Sequence, residues 1–132
     1  DIERKGGQNS LYAIDYAARV AMEMGADVVK LNMPKLDSAK DKDAPAPYNE
    51  MEVTQEEAIR HAVDSAGRAL VVLSGGSKID DDKLLEQTRY IMEAGGSGVI
   101  YGRNVWQRGH SEAMEIVEQI KEIMLSSVRR IP

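Results

Sequence analysis

Three short apolar segments alternate with amphipathic stretches along this chain, and the alternation restricts the folds that it can adopt. The segments are ADVVKLN at 26–32, ALVVL at 69–73 and SGVIY at 97–101. Each is apolar at most consecutive positions, which is typical of a strand with both faces buried. Strands of this kind that alternate with helices form parallel sheets against which the helices pack. The pattern therefore predicts an α/β fold.

Helical signals occupy the intervals before, between and after these strands. Asn9 or Ser10 can cap the first helix, and Thr54 with Glu57 forms a capping-box pattern at the start of the second. Ser111 is predicted to cap the last helix. The four predicted helices cover approximately residues 10–25, 54–67, 83–94 and 111–124. The resulting order, α-β-α-β-α-β-α, is the pattern of a TIM barrel or of a doubly wound sheet.

The length of the chain limits how much of either fold it can contain. Its 132 residues are enough for one domain, 1–132, but not for two. A complete eight-stranded barrel needs about 250 residues, whereas this sequence holds three clear strands. If the chain belongs to a barrel, it therefore forms a piece of one. A proline-rich, charged segment at 34–53 interrupts the pattern, and we interpret it as an excursion within the domain.

Composition and charge exclude several classes of protein. Apolar residues make up 42% and charged residues 30%, a balance typical of a globular domain. No apolar run approaches the ~20 residues that span a bilayer, so no membrane segment is expected. The 22 acidic residues outnumber the 17 basic ones, which argues against binding to nucleic acid. The lack of cysteine excludes disulfides and thiolate metal sites and favours a cytosolic location.

Two glycine-containing loops follow consecutive strands. SGGSK, residues 74–78, comes directly after ALVVL, and YGRN, residues 101–104, begins at the end of the next strand. Glycine lets backbone N–H groups approach an anion closely, and Arg103 adds a forked guanidinium. Loops after the last two strands of TIM barrels often bind phosphate. Together the loops predict a phosphate site, although each loop taken alone is more often a tight strand-to-helix turn.

Lys30 is an unexpected residue within the first strand, because its neighbours Val28, Val29 and Leu31 are apolar. At the mouth of a barrel, a low dielectric favours the neutral amine of a lysine, which is the nucleophile of Schiff-base catalysis. The alternative is a lysine whose side chain extends to the surface at a strand end. Neighbouring strands lie ~4.8 Å apart, so Lys30 and the two loops would together span a triose phosphate from carbonyl carbon to phosphate.

The remaining polar candidates favour structural roles. His61 and His110 have no partner at the spacing of metal ligands, and both are expected at the surface. The acidic run at 80–82 sits at a predicted helix start, where the helix dipole stabilises negative charge. Trp106 is expected to pack beneath the preceding loop rather than to contact a substrate.

Three longer stretches, in this order, resemble a known family: GADVVKLNMP, VVLSGGSK and AGGSGVIYGRNVWQR. They are similar to the C-terminal half of the archaeal-type class I fructose-bisphosphate aldolases, in the DhnA/DeoC-like aldolase family. The resemblance extends from about Asp15 to the end of the last predicted helix. It implies a (βα)8 TIM barrel of which this chain supplies strands six to eight, usually assembled into a homo-oligomer.

The resemblance also implies roles for individual residues. Lys30 matches the lysine that forms a Schiff base with dihydroxyacetone phosphate or the ketose bisphosphate. The residues that match the substrate phosphate-binding motif are Ser74, Gly75, Gly76, Gly102 and Arg103. No metal or other cofactor is implied, because the protonated imine performs the polarisation that zinc performs in a metal-dependent aldolase.

Two features depart from the family pattern. The segment 34–53 replaces what is often a short connection, and it is expected to cover the active site, to pack on a neighbouring subunit, or both. The family's proton-transferring tyrosine and an aspartate lie on strands that would precede Asp1, so the remaining N-terminal half of the barrel is an expected partner. Tyr48 or Tyr101 could in principle replace that tyrosine, but no sequence signal locates either residue at the site.

The predicted function is therefore that of a Schiff-base aldolase. It would cleave the sugar phosphate fructose 1,6-bisphosphate to dihydroxyacetone phosphate and glyceraldehyde 3-phosphate in glycolysis and gluconeogenesis. Two related activities stay open: a transaldolase-like synthase of aromatic-precursor metabolism, and a thiolase that acts on a phosphorylated sugar. If the chain is naturally this short, the alternative is a non-catalytic, phosphate-binding half-barrel with two open sheet edges.

Overall fold

The computed structural model describes residues 1–128 and contains a three-stranded parallel sheet. Its strands are β1 (Val28–Asn32), β2 (Leu70–Ser74) and β3 (Gly98–Ile100). They lie in sequence order, β1-β2-β3, with Val29 opposite Val71 and Leu73 opposite Val99. The prediction of a parallel α/β sheet is confirmed.

Within this range, five α-helices accompany the sheet. They are α1 (Leu11–Glu23), α2 (Gln55–Ser65), α3 (Asp81–Glu93), α4 (Arg103–Trp106) and α5 (His110–Val128). Single 3-10 turns occur at Ile2–Lys5 and Asp41–Asp43. Among the described residues, no helix combines the length and the apolar character that crossing a membrane requires.

Side-chain caps explain where the first three helices begin. Ser10 caps α1, and Thr54 and Glu57 form the reciprocal capping box at the start of α2, both as predicted. The carboxylate of Asp80 accepts a hydrogen bond from the N–H of Lys83 at 3.0 Å. Because this cap precedes the first turn, α3 begins two residues earlier than the sequence pattern indicated.

The main core lies between the sheet and one layer of helices. Alternate strand residues point towards this layer, so Val29 and Leu31 of β1 and Val71 and Leu73 of β2 are buried. They belong to one apolar cluster with residues of α1, α2 and α3 that include Ile14, Ala18, Ile59, Ala62 and Ile91. A second cluster joins α3 to α5 through Leu84, Ile116 and Ile120.

The opposite face of the sheet is largely open within residues 1–128, although Met124 of α5 approaches it at Gly98. Val28, Leu70 and Ile100 lie on this open face and are 54%, 56% and 45% exposed. Lys30 and Asn32 lie on the same face, because they alternate with the buried residues of β1. Exposed apolar side chains at both ends of one sheet face indicate a surface that packs against another part of a structure.

Helix coverage distinguishes between the two folds that the sequence left open. In a doubly wound sheet the helices cover both faces, whereas in a barrel all helices lie outside and the other face forms the packed interior. Here α1, α2 and α3 share one face, and the strand order follows the chain without reversal. The arrangement is therefore a segment of a barrel wall, with Lys30 on its inner face.

The segment 34–53 folds back against the helices. The hydroxyl of Tyr48 donates a hydrogen bond to the carboxylate of Asp15 on α1 at 3.0 Å. At the start of the segment, the carbonyl of Pro34 accepts a hydrogen bond from the side chain of Gln55 on α2 at 2.9 Å. The segment is thus fixed to both helices.

Candidate active site

A cleft of about 660 Å³ opens at the C-terminal ends of β1 and β2. In barrels, the loops at this end of the strands form the sites where substrates bind. The cleft is lined by the SGGS backbone and by polar side chains from five other parts of the chain: Asn9, Asn32, Gln55, Gln87 and Arg103. The start of the segment 34–53 contributes a wall that consists of Pro34, Lys35 and Leu36.

The two glycine-containing loops that the sequence singled out are in direct contact. The Nε of Arg103 donates a hydrogen bond to the carbonyl of Gly76 at 3.1 Å. The N–H of Gly75 donates to the carbonyl of Ile100 at 3.2 Å, which continues the pairing of β2 with β3 into the loop. Of the five residues matched to the phosphate-binding motif, all except Gly102 line the cleft.

The structure explains why glycine occupies both positions 75 and 76 of the SGG loop. A Cβ at Gly75 would overlap the ring of Tyr101 and lie 3.0 Å from the Nδ2 of Asn104. Gly76 adopts a left-handed backbone conformation with a φ of 64°, which other residues reach only at a cost. The loop therefore needs glycine at the first position because of packing and at the second because of its conformation.

Lys30 lies on the open face of the sheet and does not itself line the cleft. It stands opposite Val72, and the next residue on its face, Asn32, stands opposite Ser74 at the cleft wall. Its side chain is exposed within residues 1–128. The low-dielectric surroundings expected for Lys30 therefore require the rest of a barrel.

Two asparagines, whose place in the site the sequence did not reveal, shape the cleft beside Ser74. The Nδ2 of Asn32 donates a hydrogen bond to the Oδ1 of Asn9 at 3.0 Å. The carbonyl of Asn9 accepts another from the N–H of Lys35 at 2.8 Å. The sequence could have indicated Asn32, because it follows Lys30 by two residues and therefore lies on the same face of the strand. Such amide groups can hydrogen-bond the hydroxyl groups of a sugar.

Neither tyrosine considered as a replacement acid lies at the cleft. The hydroxyl of Tyr101 shares a hydrogen bond of 2.9 Å with that of Thr88 on α3, and burial raises the pKa of Tyr101. Burial, together with the nearby carboxylate of Asp15, raises the pKa of Tyr48 to about 12. Because both hydroxyls are engaged in the helix layer, the structure does not support the hypothesis that either residue replaces the family tyrosine.

A buried carboxylate links three elements in that helix layer. Asp15 is 2% exposed, and its Oδ2 contacts the hydroxyl of Tyr48 at 3.0 Å and the Nδ1 of His61 at 2.5 Å. Burial raises the pKa of Asp15, while His61 and the hydrogen bond from Tyr48 oppose the shift. The surface position expected for His61 is only partly right. Its side chain is 43% exposed, but it is paired with a residue 46 positions away that spacing could not reveal.

The expected position of Trp106 is wrong. Its side chain is 68% exposed rather than packed beneath the GRN loop. Beneath the neighbouring SGG loop, Tyr101 and Asn104 approach the backbone of Gly75. The sequence analysis did not single out Asn104, and its side chain is fully buried.

The acidic run at 80–82 forms a helix start, as predicted. Asp80 caps α3, and Asp81 makes an ion pair of 2.6 Å with Arg108. His110 is exposed, as expected, and is the first residue of α5. The predicted cap Ser111 therefore lies inside that helix instead of before it.

The fold and the cleft define a class of protein: a segment of a (βα) barrel with a glycine loop and an arginine at the C-terminal ends of its strands. The family model described as DeoC/LacD family aldolase matches residues 3–108. The chain belongs to this family, and the predicted family and partial-barrel fold are confirmed.

Relatives and a solved structure carry more specific names. The class 1 fructose-bisphosphate aldolase of Halobacterium salinarum is 42% identical over 100 residues, which are 76% of this chain and 31% of the relative. A Methanocaldococcus jannaschii protein, named fructose-bisphosphate aldolase/6-deoxy-5-ketofructose 1-phosphate synthase, is 34% identical over 110 residues, 83% of this chain and 30% of that protein.

The solved structure is an archaeal fructose-1,6-bisphosphate aldolase whose catalytic Lys is covalently bound to the carbinolamine intermediate of the substrate. It is similar to this chain with a TM-score of 0.66 and 28% sequence identity. The similarity covers 89% of this chain and 39% of that one. The chain spans about a third of the length of the curated relatives it matches, at 31% and 30%.

Proposed function

We propose that this chain supplies the Schiff-base lysine and the phosphate-binding loops of a class I aldolase that cleaves fructose 1,6-bisphosphate. One observation carries the proposal: Lys30 is on the inner face of the barrel wall, and Asn32, two residues further along that face, borders the cleft of the SGG loop and Arg103. The names of the relatives support it. The residues assigned to the substrate phosphate are Ser74, Gly75, Gly76, Gly102 and Arg103.

The chemistry follows from a lysine amine beside an anion site. The Nζ of Lys30 attacks the C2 carbonyl of the open-chain ketose, and loss of water gives a protonated imine. The imine takes up the electron pair of the C3–C4 bond as this bond breaks and a base removes the proton of the C4 hydroxyl, which releases glyceraldehyde 3-phosphate. The enamine then gains a proton at C3, and hydrolysis releases dihydroxyacetone phosphate and the free amine.

In this proposal the base comes from strands that complete the barrel. Tyr48 and Tyr101 are engaged in the helix layer. The exposed apolar side chains of Val28, Leu70 and Ile100 fit against further strands. So do the outer edges of β1 and β3, which pair with no other strand of residues 1–128. We call the chain together with those strands the complete barrel, and the experiments below use it.

Cleavage of fructose 1,6-bisphosphate by the complete barrel tests the proposal. Lys30→Met keeps the apolar stem of the side chain but removes the amine, so we expect cleavage to fall by more than about 10³-fold. Lys42→Met is the matched control, because Lys42 is exposed in the segment 34–53. It should cleave at the wild-type rate. Retained cleavage by Lys30→Met would contradict the proposal.

A second activity is favoured by the name of the Methanocaldococcus jannaschii relative, which includes 6-deoxy-5-ketofructose 1-phosphate synthase. A transaldolase-like synthase would use the same Schiff base and pass its fragment to another aldehyde, and a phospho-sugar thiolase would use a thiol acceptor. Parallel assays with fructose 1,6-bisphosphate alone, with an added aldehyde and with an added thiol separate these activities. Phosphate binding without any of the three reactions would favour a non-catalytic module.

We extend the proposal to the location of the enzyme, its oligomeric state and its metabolic pathway. The lack of cysteine supports a cytosolic location, and the family resemblance supports a homo-oligomer that acts in glycolysis and gluconeogenesis. Light scattering should give a mass that is a multiple of one complete barrel. A monomeric mass would contradict this part of the proposal.

A further inference from the structure

Asn104 is fully buried beneath the glycine loop, although asparagine is mostly found at protein surfaces. It follows Arg103 in the short helix α4. A buried amide group without a partner destabilises the folded protein, so the hydrogen bonds of Asn104 indicate why it is there. The Oδ1 of Asn104 accepts a hydrogen bond from the N–H of Ile79 at 2.9 Å, at the far end of the loop.

The amide nitrogen of Asn104 holds the middle of the same loop. Its Nδ2 donates to the carbonyl oxygens of Gly75 at 3.4 Å and Ser77 at 3.2 Å. Arg103 binds the intervening carbonyl of Gly76 at 3.1 Å. Two adjacent side chains therefore hold three consecutive carbonyl groups of the loop.

These contacts determine where the N–H groups of the loop point. In a trans peptide, the carbonyl and the N–H that follows it point in opposite directions, and the peptide bonds of this loop are trans. Binding of the carbonyls of Gly75 and Ser77 by Asn104 turns the N–H groups of Gly76 and Lys78 away from Asn104, in a loop whose residues 74–77 and 79 line the cleft. An anion that binds this loop would therefore meet N–H groups with partial positive charge, while Asn104 holds the carbonyls of Gly75 and Ser77.

Asn104 is itself fixed from the side of α3. Its backbone carbonyl accepts a hydrogen bond from the Nε of Arg108 at 2.6 Å, and the guanidinium also pairs with Asp81 at 2.6 Å. The Arg108 side chain is 6% exposed and Asp81 is 58% exposed, so a buried guanidinium pairs with a carboxylate at the surface. Tyr101 fills the remaining space under Gly75. The loop is therefore held in one conformation before any ligand binds.

We propose that Asn104 is a positioning residue for the substrate phosphate. It orients the N–H groups of Gly76 and Lys78 and thereby sets the preference of the enzyme for phosphorylated over unphosphorylated ketoses. Asn104 acts through the loop and does not contact the substrate. This inference rests on the proposed function, because it requires an anion in the cleft.

The test compares Asn104→Asp with Asn49→Asp in the complete barrel. The new carboxylate keeps an acceptor for the N–H of Ile79 but places a negative oxygen against the carbonyls of Gly75 and Ser77. Asn49 is exposed, so its variant reproduces only the change in charge. Loss of two hydrogen bonds predicts a rise of about 10-fold or more in the Kd for inorganic phosphate, with no rise in Asn49→Asp.

Reaction with an unphosphorylated ketose separates positioning from a general structural role. Dihydroxyacetone has no phosphate, so borohydride should trap it on Lys30 of Asn104→Asp at the wild-type rate. Unchanged phosphate affinity in Asn104→Asp would overturn the inference. So would a parallel loss of phosphate binding and of Lys30 trapping, which is the result expected from a residue that only stabilises the fold.

Hydrogen exchange in the wild-type protein supplies a measurement that needs no variant. Inorganic phosphate should slow exchange at the N–H groups of Gly76 and Lys78, and binding without this protection would overturn the inference. Protection in a protein that does not cleave fructose 1,6-bisphosphate would support the role of Asn104 and contradict the proposed function. A wild-type protein that binds no phosphate would overturn both.

Discussion

Lys30 and Ser74 lie on the same face of neighbouring parallel strands, with Lys30 opposite Val72 and Ser74 two residues further along β2. Standard strand geometry gives a separation of about 8 Å between their Cα atoms. A triose phosphate that extends from the amine of Lys30 can therefore reach the glycine loop that begins at Ser74. This relationship is the geometric basis of the proposed reaction.

Gly75→Ala should weaken the binding of phosphorylated substrates. The added methyl group overlaps the ring of Tyr101, so the loop must move, and overpacking of this kind costs about 1–3 kcal/mol. We expect the KM for fructose 1,6-bisphosphate to rise by about 2- to 13-fold if about half of that cost falls on the bound state. Steady-state kinetics on the complete barrel measures the effect.

Gly109→Ala is the control for this substitution. Among residues 1–128, no atom lies within 4 Å of a Cβ at Gly109, so the methyl group meets open space there. Its KM should match that of the wild type. Equal KM values for Gly75→Ala and the wild type would show that the loop does not hold the phosphate.

Tyr48→Phe should loosen the segment 34–53 from the helices. The substitution removes the hydrogen bond to the buried carboxylate of Asp15, and a bond to a charged group contributes about 1.5–3 kcal/mol. We expect a loss of that order in the free energy of unfolding and faster proteolysis within the segment. Tyr16→Phe is the matched control, because Tyr16 is 63% exposed. Equal proteolysis rates in the two variants would contradict the predicted anchoring.

Asp15→Asn tests the pH dependence that the buried carboxyl predicts. Burial raises the pKa of Asp15 above 3.8, so the folded protein holds this proton more tightly than the unfolded chain. The stabilising contribution is therefore complete below pH 3.8 and is lost as the pH rises through the raised pKa. As the pH rises from 3.8 through the raised pKa, the free energy of unfolding of the wild type should fall relative to that of Asp15→Asn. Chemical denaturation at a series of pH values measures this difference. A difference that stays constant, or that changes in the opposite direction, would refute the prediction.

Much of the fold could be predicted because its signals are local. Apolar segments mark the strands, and side-chain caps such as Ser10 and Thr54 mark helix starts within a turn. Parallel strands end at one edge, so loops after consecutive strands were expected to meet. The hydrogen bond between Arg103 and Gly76 confirms that expectation.

Contacts between distant residues could not be predicted. His61 pairs with Asp15 across 46 positions, and Asn104 bonds to Gly75 across 29, and neither spacing leaves a periodic signal. The predicted position of Trp106 was wrong, because the short helix α4 buries Asn104 and leaves Trp106 exposed. Whether helices cover one face of the sheet or both was also undetermined, since apolar strands look alike in a barrel and in a doubly wound sheet.

The most direct test of the central claim is borohydride reduction of the complete barrel in the presence of dihydroxyacetone phosphate, followed by peptide mass spectrometry. The expected result is a stable adduct on Lys30 that is absent from Lys30→Met. An adduct on another lysine near the cleft, such as Lys35 or Lys78, or an active enzyme in which no lysine is trapped, would contradict the assignment of Lys30 as the Schiff-base nucleophile.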